Sequence, residues 1–159
     1  IVLFDIALDF ALLELPNVAG LPYVNFRGKP AEVGEKITIC GAPLGYAFSL
    51  ASGTIDQTHL NLGNDGVLNY IEWDNQLRLT ISSAPGSSGS AILDKDGYMI
   101  GQLHGIMVHN GNYIAGGVLA IDQEDIMSFL MLNGFGWIVM NPYGYWKFAP
   151  YNTVRPKTN

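Results

Sequence analysis

Short apolar runs rich in β-branched residues recur along the chain between clusters of glycine, proline, asparagine and aspartate. Apolar runs this short, with turn residues at regular intervals, indicate strands rather than helices. Six or seven such strands are typical of an all-β barrel or sandwich. The predicted strands are 36–42, 47–55, 67–73, 77–81, 90–93, 98–106 and 113–121.

The two ends of the chain do not follow this strand pattern. Residues 122–134 predict one helix, with Asp122 as N-cap, Asp125 three residues on and Gly134 as the stop. Residues 1–15 form one apolar run, for which helix and buried strand both fit. Residues 135–159 mix aromatic side chains with proline and glycine, and predict an extended arm that packs on another surface.

Composition excludes several classes of protein. A length of 159 residues suits one domain, and a net charge of −6 with 8 scattered Lys and Arg residues argues against a nucleic-acid partner. No apolar stretch is long enough to predict a membrane span. Cys40 is the only cysteine, so an intrachain disulfide is impossible, and its apolar run predicts a buried thiol. No histidine pair has metal-ligand spacing, so neither a metal nor a cofactor is predicted.

One stretch, Gly86-Ser87-Ser88-Gly89-Ser90, carries the elements of an acyl-transfer site. Flanking glycines let the backbone turn sharply and bring its N–H groups close to a substrate carbonyl. Ser88 would be the nucleophile, and the N–H groups of Gly86 and Ser88 would bind the developing oxyanion. Serine between glycines is common in loops, so the interpretation depends on the surrounding sequence.

Four blocks supply that context, and in their order and spacing the chain resembles the chymotrypsin- and trypsin-like serine proteases. The resemblance is greatest to HtrA-like and to disulfide-free viral and bacterial members. It implies a six-stranded antiparallel barrel, the second of the family's two, and a serine endopeptidase that acts on polypeptide. The blocks are residues 9–15, 33–45, 50–55 and 85–93, the last followed by the glycine-bounded stretch 97–101.

The resemblance also assigns site residues. Asp9, in Asp-Phe-Ala-Leu-Leu-Glu-Leu, matches the aspartate that orients the catalytic histidine, with Asp5 as the fallback. The specificity pocket would be lined by neutral positions, which argues against a basic substrate side chain and favours a small or uncharged polar one. These positions are Ser82, Ser83, His104, Gly105, Gly116 and Gly117.

The same resemblance divides the chain into four parts. Residues 1–32 would hold the last strand of the first barrel and the linker between the barrels. Residues 33–121 would form the second barrel, 122–134 the C-terminal helix and 135–159 the arm. The resemblance to these proteases also implies an extracellular or periplasmic location, or a place in a viral particle.

The catalytic histidine departs from the family's pattern. In the family it lies upstream of the aspartate, whereas His59, His104 and His109 all lie downstream of Asp9. We therefore expect these 159 residues alone to be inactive, and a second chain or N-terminal segment to complete the first barrel and supply the base. The alternative is a non-catalytic, protease-like subunit of a larger assembly, such as a viral particle.

His104 leaves three interpretations open. Viral and glutamate-specific relatives read the substrate with a histidine two residues after a glycine, but His104 follows Gly101 by three. A shift of one residue turns a strand side chain to the opposite face. The shifted register would turn His104 toward the aspartate that orients the catalytic histidine. His104 would thus read the substrate, support this aspartate or only pack, and the sequence leaves the three interpretations open.

Overall fold

Six antiparallel strands close into a barrel in the order β3-β4-β5-β8-β7-β6, as the resemblance predicts. The computed structural model describes residues 1–16, 22–46, 49–62 and 73–139. A two-stranded hairpin precedes the barrel and two helices follow it. The strands are β1 Leu3–Asp5, β2 Phe10–Leu12, β3 Lys36–Gly41, β4 Ser49–Leu62, β5 Trp73–Thr80, β6 Ala91–Leu93, β7 Met99–His109 and β8 Asn112–Asp122, and the helices are α1 Gln123–Leu132 and α2 Gly136–Val139.

The barrel core is built from aliphatic side chains at alternate strand positions. In β3, Ile37 and Ile39 are buried, and the residues between and after them face outward. Cys40 is therefore exposed, and the sequence-based expectation of a buried thiol is wrong. The remaining strands fill the same interior with Ile55, Leu77, Leu79, Ile92, Ile100, Leu103, Val118 and Ala120.

The N-terminal run forms a hairpin, which decides between the helix and strand alternatives. Leu3 pairs with Leu12 and Asp5 with Phe10. One face of the hairpin packs against α1, where the rings of Phe10 and Phe129 meet edge to face with centroids 5.9 Å apart. The opposite face is exposed and apolar, and with the adjoining residues it presents Phe4, Ile6, Leu13 and Leu15.

Strands β4 and β5 run further than the local sequence predicts. The predicted strand 47–55, whose first two residues lie outside the described part of the chain, continues to Leu62. Residues 74–76, which separate the predicted strands 67–73 and 77–81, lie inside β5. Pairing of Leu60 with Gln76 extends both strands, and bulges absorb the register shifts. The predicted strand 67–73 falls almost wholly outside the described residues, since β5 begins at Trp73.

Helix α1 begins and ends at the predicted signals. The Asp122 side chain accepts a hydrogen bond from the Glu124 N–H at 2.8 Å, so Asp122 is the N-cap. Gly134 at φ 82° follows the last turn, and the Phe135 N–H donates to the Leu130 carbonyl at 2.7 Å. Residues 136–139, the start of the predicted arm, form α2. The rest of the arm lies outside the described residues.

The segment before the barrel is fixed by a buried arginine. Arg27 forms an ion pair with Glu35, lies 3.6 Å from Asp94, and donates to the Pro30 carbonyl at 2.7 Å. Its N–H also donates to the Gln123 side chain at the start of α1. These contacts hold the segment before the barrel against both the barrel and α1. The hairpin packs on the same helix.

Candidate active site

Ser88 lies on an exposed turn between β5 and β6, held by hydrogen bonds on both sides. The Ser87 N–H donates to the Ala84 carbonyl and the Ser90 N–H to the Ser87 carbonyl, each at 3.1 Å. The Gly89 N–H donates to the Leu103 carbonyl of β7 at 2.7 Å. Ser87 itself is buried. This bonding leaves the Ser88 side chain exposed above a fixed backbone.

Two N–H groups of this turn are left without an acceptor. Within the described residues, those of Gly86 and Ser88 make no hydrogen bond, while their neighbours Ser87, Gly89 and Ser90 all do. Gly86 has φ 96°, and a Cβ there would lie 2.7 Å from the Ala42 carbonyl oxygen. Only glycine fits this position without strain, and the turn can offer two N–H donors to an oxyanion.

Asp9 and Asp5 have different surroundings. Asp5 Oδ1 accepts a hydrogen bond from the Leu8 N–H at 3.0 Å, so this carboxylate closes the hairpin turn. Asp9 has a left-handed backbone with φ 54°, and its Oδ2 lies 3.8 Å from the Nδ1 atom of His104. Burial raises the pKa of Asp9 above its ordinary value. Asp9 is therefore the carboxylate that faces the barrel, and Asp5 has a local structural role.

His104 connects the two catalytic candidates. Its backbone carbonyl accepts a hydrogen bond from Ser88 Oγ at 3.4 Å, while its ring faces Asp9. The ring Nε2 atom lies 2.5 Å from Oε1 of Gln76, a buried residue of β5. Burial lowers the pKa of His104 to about 4, so its imidazole is neutral at pH 7.

Among the described residues, no histidine ring is hydrogen-bonded to the Ser88 side chain. His59 Nδ1 contacts Asn75 Oδ1, and His109 Nε2 lies 3.2 Å from Asn110 Nδ2. The hydrogen bond of Ser88 Oγ goes to a backbone carbonyl and not to an imidazole. The described residues therefore place no general base on this serine.

A neutral pocket of about 730 Å³ adjoins the serine turn. Of the predicted pocket residues, Ser82, Ser83 and Gly116 line it, whereas His104, Gly105 and Gly117 do not. Gly117 packs against Met107 in the sheet instead. No charged side chain of the described residues lines this pocket, and its other walls include Thr80, Ile106, Tyr113, Ile114 and Val118.

The described residues offer neither a metal-binding cluster nor a membrane-spanning helix. In that part of the chain, no three His, Cys, Asp or Glu side chains are grouped so as to hold a metal ion. Nor does any helix there have the length and apolar character needed to cross a membrane.

Gln76 is a site residue that the sequence did not single out. A glutamine within a strand gives no signal of burial, because exposed strand positions carry the same residue type. Alternation of inward- and outward-facing side chains does not identify Gln76 either. Asn75, just before it, has a left-handed backbone beside a bulge, and the alternation along β5 is interrupted there.

The fold and the serine turn together define a class of protein, and sequence comparison agrees. Residues 1–101 match the family described as Trypsin-like peptidase domain. The chain belongs to this trypsin-like serine protease family.

Individual relatives are serine proteases of the HtrA and DegP group. A probable periplasmic serine endoprotease DegP-like of Ectopseudomonas mendocina is 30% identical over 107 residues, covering 67% of this chain and 21% of its own length. A protein of the same description from Hahella chejuensis is 26% identical over 137 residues, covering 82% of this chain and 28% of the relative. The chain thus spans about a fifth to a quarter of these relatives.

Solved structures show the same fold. The active form of the Rv3671c protease of M. tuberculosis superposes with a TM-score of 0.70 at 20% identity, covering 82% of this chain and 56% of that one. The HtrA-type protease AlgW, in its structure with a tripeptide, gives a TM-score of 0.59 at 23% identity, covering 74% and 38%.

Proposed function

We propose that this chain carries the nucleophile, the oxyanion donors and the orienting aspartate of a serine endopeptidase. The observation that carries the proposal is the serine turn, where an exposed Ser88 side chain stands beside two N–H groups without acceptors. Asp9 faces His104, the residue whose carbonyl accepts the Ser88 hydrogen bond. A nucleophile, two donors and a carboxylate are three of the four components that acyl transfer requires.

The fourth component, a general base, would come from polypeptide outside these 159 residues. An imidazole placed between Asp9 and Ser88 would take the Ser88 Oγ proton as Oγ bonds to the substrate carbonyl carbon. The N–H groups of Gly86 and Ser88 would bind the resulting oxyanion. The same proton would pass to the leaving amine as the C–N bond breaks, and water would then release the acyl group.

The surface around Asp9 fits such an addition. A groove of about 440 Å³ lies on the outer side of the hairpin, lined by Ile1, Phe4, Asp5, Ile6, Asp9, Phe10 and Ala11. Its apolar side chains and the exposed hairpin face need a cover, because apolar area left in water is unfavourable. A first barrel packed there would bury this face and bring its base next to Asp9.

The substrate would be a polypeptide with an uncharged side chain at the cleaved position. The described residues that line the pocket beside the serine turn carry no charge that could pair with lysine, arginine, aspartate or glutamate. Placing an unpaired charge in such a pocket would be costly. Ser82 and Ser83 offer hydroxyl groups, so an uncharged polar side chain is also accommodated.

An active-site-directed fluorophosphonate tests the nucleophile. Labelling is measured on the full protein that contains these residues together with the segment supplying the base. The wild type is expected to label at one site, and Ser88→Ala to lose the label. Ser128→Ala, an exposed serine on α1, is the control and keeps it. Absence of label in the wild type, or its persistence in Ser88→Ala, would overturn the assignment.

A second candidate function is a non-catalytic interaction subunit. The exposed apolar hairpin face favours it, since such a face can serve assembly as well as catalysis. The labelling experiment separates the two functions, because a subunit without a working nucleophile leaves the fluorophosphonate unreacted in the presence of the complete protein.

A further inference from the structure

We propose that His104 is a positioning residue, whose neutral ring donates a hydrogen bond from Nδ1 to the carboxylate of Asp9 while Gln76 fixes the ring from the other side. The inference rests on the proposed function, because it gives His104 a part in holding the aspartate of that site. It replaces the substrate-reading role that the sequence resemblance suggests for this residue.

A β-bulge aims the His104 side chain. Leu103 pairs with Ala120 and Gly105 with Leu119, so β7 advances two residues where β8 advances one. His104 is the extra residue, and it lies between the buried Leu103 and the bulge partner Gly105. Such an insertion re-aims a side chain. Here the ring points to the hairpin turn that carries Asp9, and away from the neutral pocket.

Because the His104 ring is buried, its two nitrogens depend on neighbouring side chains for hydrogen bonds. The His104 side chain is only 3% exposed, whereas Asp9 is 57% exposed. A buried neutral imidazole has one donor and one acceptor nitrogen, and each of them needs a matching neighbour. Gln76 lies at Nε2 and Asp9 at Nδ1, so each ring nitrogen has a polar neighbour among the described residues.

The chemistry of these neighbours selects one tautomer. The carboxylate of Asp9 can only accept, so a proton on Nδ1 satisfies it, and the opposite tautomer would set two lone pairs against each other. The Gln76 amide can turn either its oxygen or its NH2 group toward Nε2. In the structure Oε1 of Gln76 faces Nε2, so the proposed tautomer requires the amide to be turned over, with its NH2 group donating to the Nε2 lone pair.

The distance between His104 Nδ1 and Asp9 Oδ2 is 3.8 Å, longer than a formed hydrogen bond. Asp9 is half-exposed on a turn whose outer groove is open. Hydrogen bonds of catalytic groups are often long in the free protein and shorten when the site is assembled. Packing of the base-bearing segment over Asp9 would press the carboxylate onto His104 and shorten this contact.

The tautomer can be measured without any enzymatic activity. Long-range 1H–15N correlation spectra of the 15N-labelled full protein at pH 7 distinguish the two neutral forms, and His104→Gln assigns the signals. The expected result is a proton on Nδ1 of His104 and a changed Nδ1 signal in Asp9→Ala. His109, an exposed histidine, serves as the internal control and keeps its signal in Asp9→Ala. A proton on Nε2, or a His104 signal indifferent to Asp9, would overturn the proposal.

Kinetics of the same full protein give the second readout. His104→Leu removes the donor and is expected to lower kcat roughly 10- to 100-fold, as loss of a hydrogen bond to a charged group does, with KM changed less than threefold. His104→Asn keeps a donor near Nδ1 and should recover most of kcat. An unchanged kcat in His104→Leu, or a change in KM alone, would contradict a positioning role.

The two proposals fail in different ways. If Ser88 is not the nucleophile, fluorophosphonate labelling persists in Ser88→Ala while the spectra still report the His104 tautomer. If His104 does not hold Asp9, labelling depends on Ser88 as expected while the spectra show the other tautomer. If His104→Leu does not fold, the wild-type spectra still show which nitrogen of His104 carries the proton, and this result alone supports or overturns the proposal.

Discussion

Single residues decide where the chemistry of this chain can take place. Gly86 and Gly97 both have left-handed backbones, at φ 96° and 84°, but their surroundings differ. A Cβ on Gly86 would lie 2.7 Å from the Ala42 carbonyl oxygen, whereas a Cβ on Gly97 would meet nothing within 4 Å. Position 86 is therefore restricted to glycine both by its backbone conformation and by the close approach of the Ala42 carbonyl.

Gly86→Ala tests this constraint, with Gly97→Ala as the matched control. Both variants carry the left-handed penalty of about 1–2 kcal/mol, and only Gly86→Ala adds the contact with Ala42. We expect Gly86→Ala to lose more free energy of unfolding in urea and to reduce fluorophosphonate labelling of the full protein roughly 100-fold, because an oxyanion donor is displaced. Equal stability losses with full labelling in both variants would show that Gly86 has no special role.

Among the elements, α1 begins at an N-cap residue that is also buried in the tertiary structure. Its N-cap residue Asp122 is buried beside Glu124 and Asp125. Burial raises the pKa of Asp122 to about 6, outweighing the hydrogen bond from the Glu124 N–H, which lowers it. The folded protein therefore prefers a protonated Asp122 over a pH range in which the unfolded chain has already ionised it.

The resulting pH dependence has a definite sign. Asp122 contributes stability that is complete below its unfolded pKa of 3.8 and is lost as the pH rises through about 6. Asn caps helices as well as Asp and cannot ionise, so Asp122→Asn should gain about 2 kcal/mol relative to wild type between pH 4 and pH 7. Urea unfolding of both proteins at the two pH values measures this difference.

A control variant separates Asp122 from other carboxylates. Asp96→Asn alters an exposed turn between β6 and β7 and removes only a solvent-exposed ion pair with Lys95, so its stability should stay close to that of the wild type at both pH values. A constant difference between Asp122→Asn and wild type across this range would mean that burial does not favour the protonated carboxyl in the folded state.

At the scale of the whole molecule, a closed barrel is joined to a hairpin that is apolar on its free side. The barrel completes its own hydrogen bonding by closure, whereas in the described part of the chain β1 and β2 pair only with each other. Phe10 holds the inner face of this hairpin to α1, and the outer face keeps Phe4 and Leu13 exposed. In the proposed function, this outer face is the surface that a first barrel would cover.

The hairpin face can be tested by self-association of the 159-residue chain. Phe4→Ser combined with Leu13→Ser should shift sedimentation toward monomer and leave urea stability within about 0.5 kcal/mol, because both residues are exposed. Leu132→Ser, an exposed leucine on α1, is the control and should not change association. Equal effects of the two changes would show that the hairpin is not a preferred contact surface.

The choice of a closed barrel over a sandwich was implied by the family resemblance, whereas the strand-rich pattern, the helix signals and the serine turn were determined by the amino-acid sequence itself. These follow from local rules: alternating Ile37 and Ile39, the cap Asp122, the stop Gly134 and the glycines around Ser88 all act within a few residues of themselves. Their interactions are short-range, so a single sequence carries them.

Only the tertiary structure decided which carboxylate faces the barrel, where His104 points and how far β4 and β5 extend. Asp5 and Asp9 are each separated by one residue from a following Ala-Leu pair, and just one of them meets His104. The direction of His104 depends on a bulge opposite β8, and the strand lengths on pairing of Leu60 with Gln76. Register between distant strands is set by the packing of the whole barrel, and no local pattern contains it.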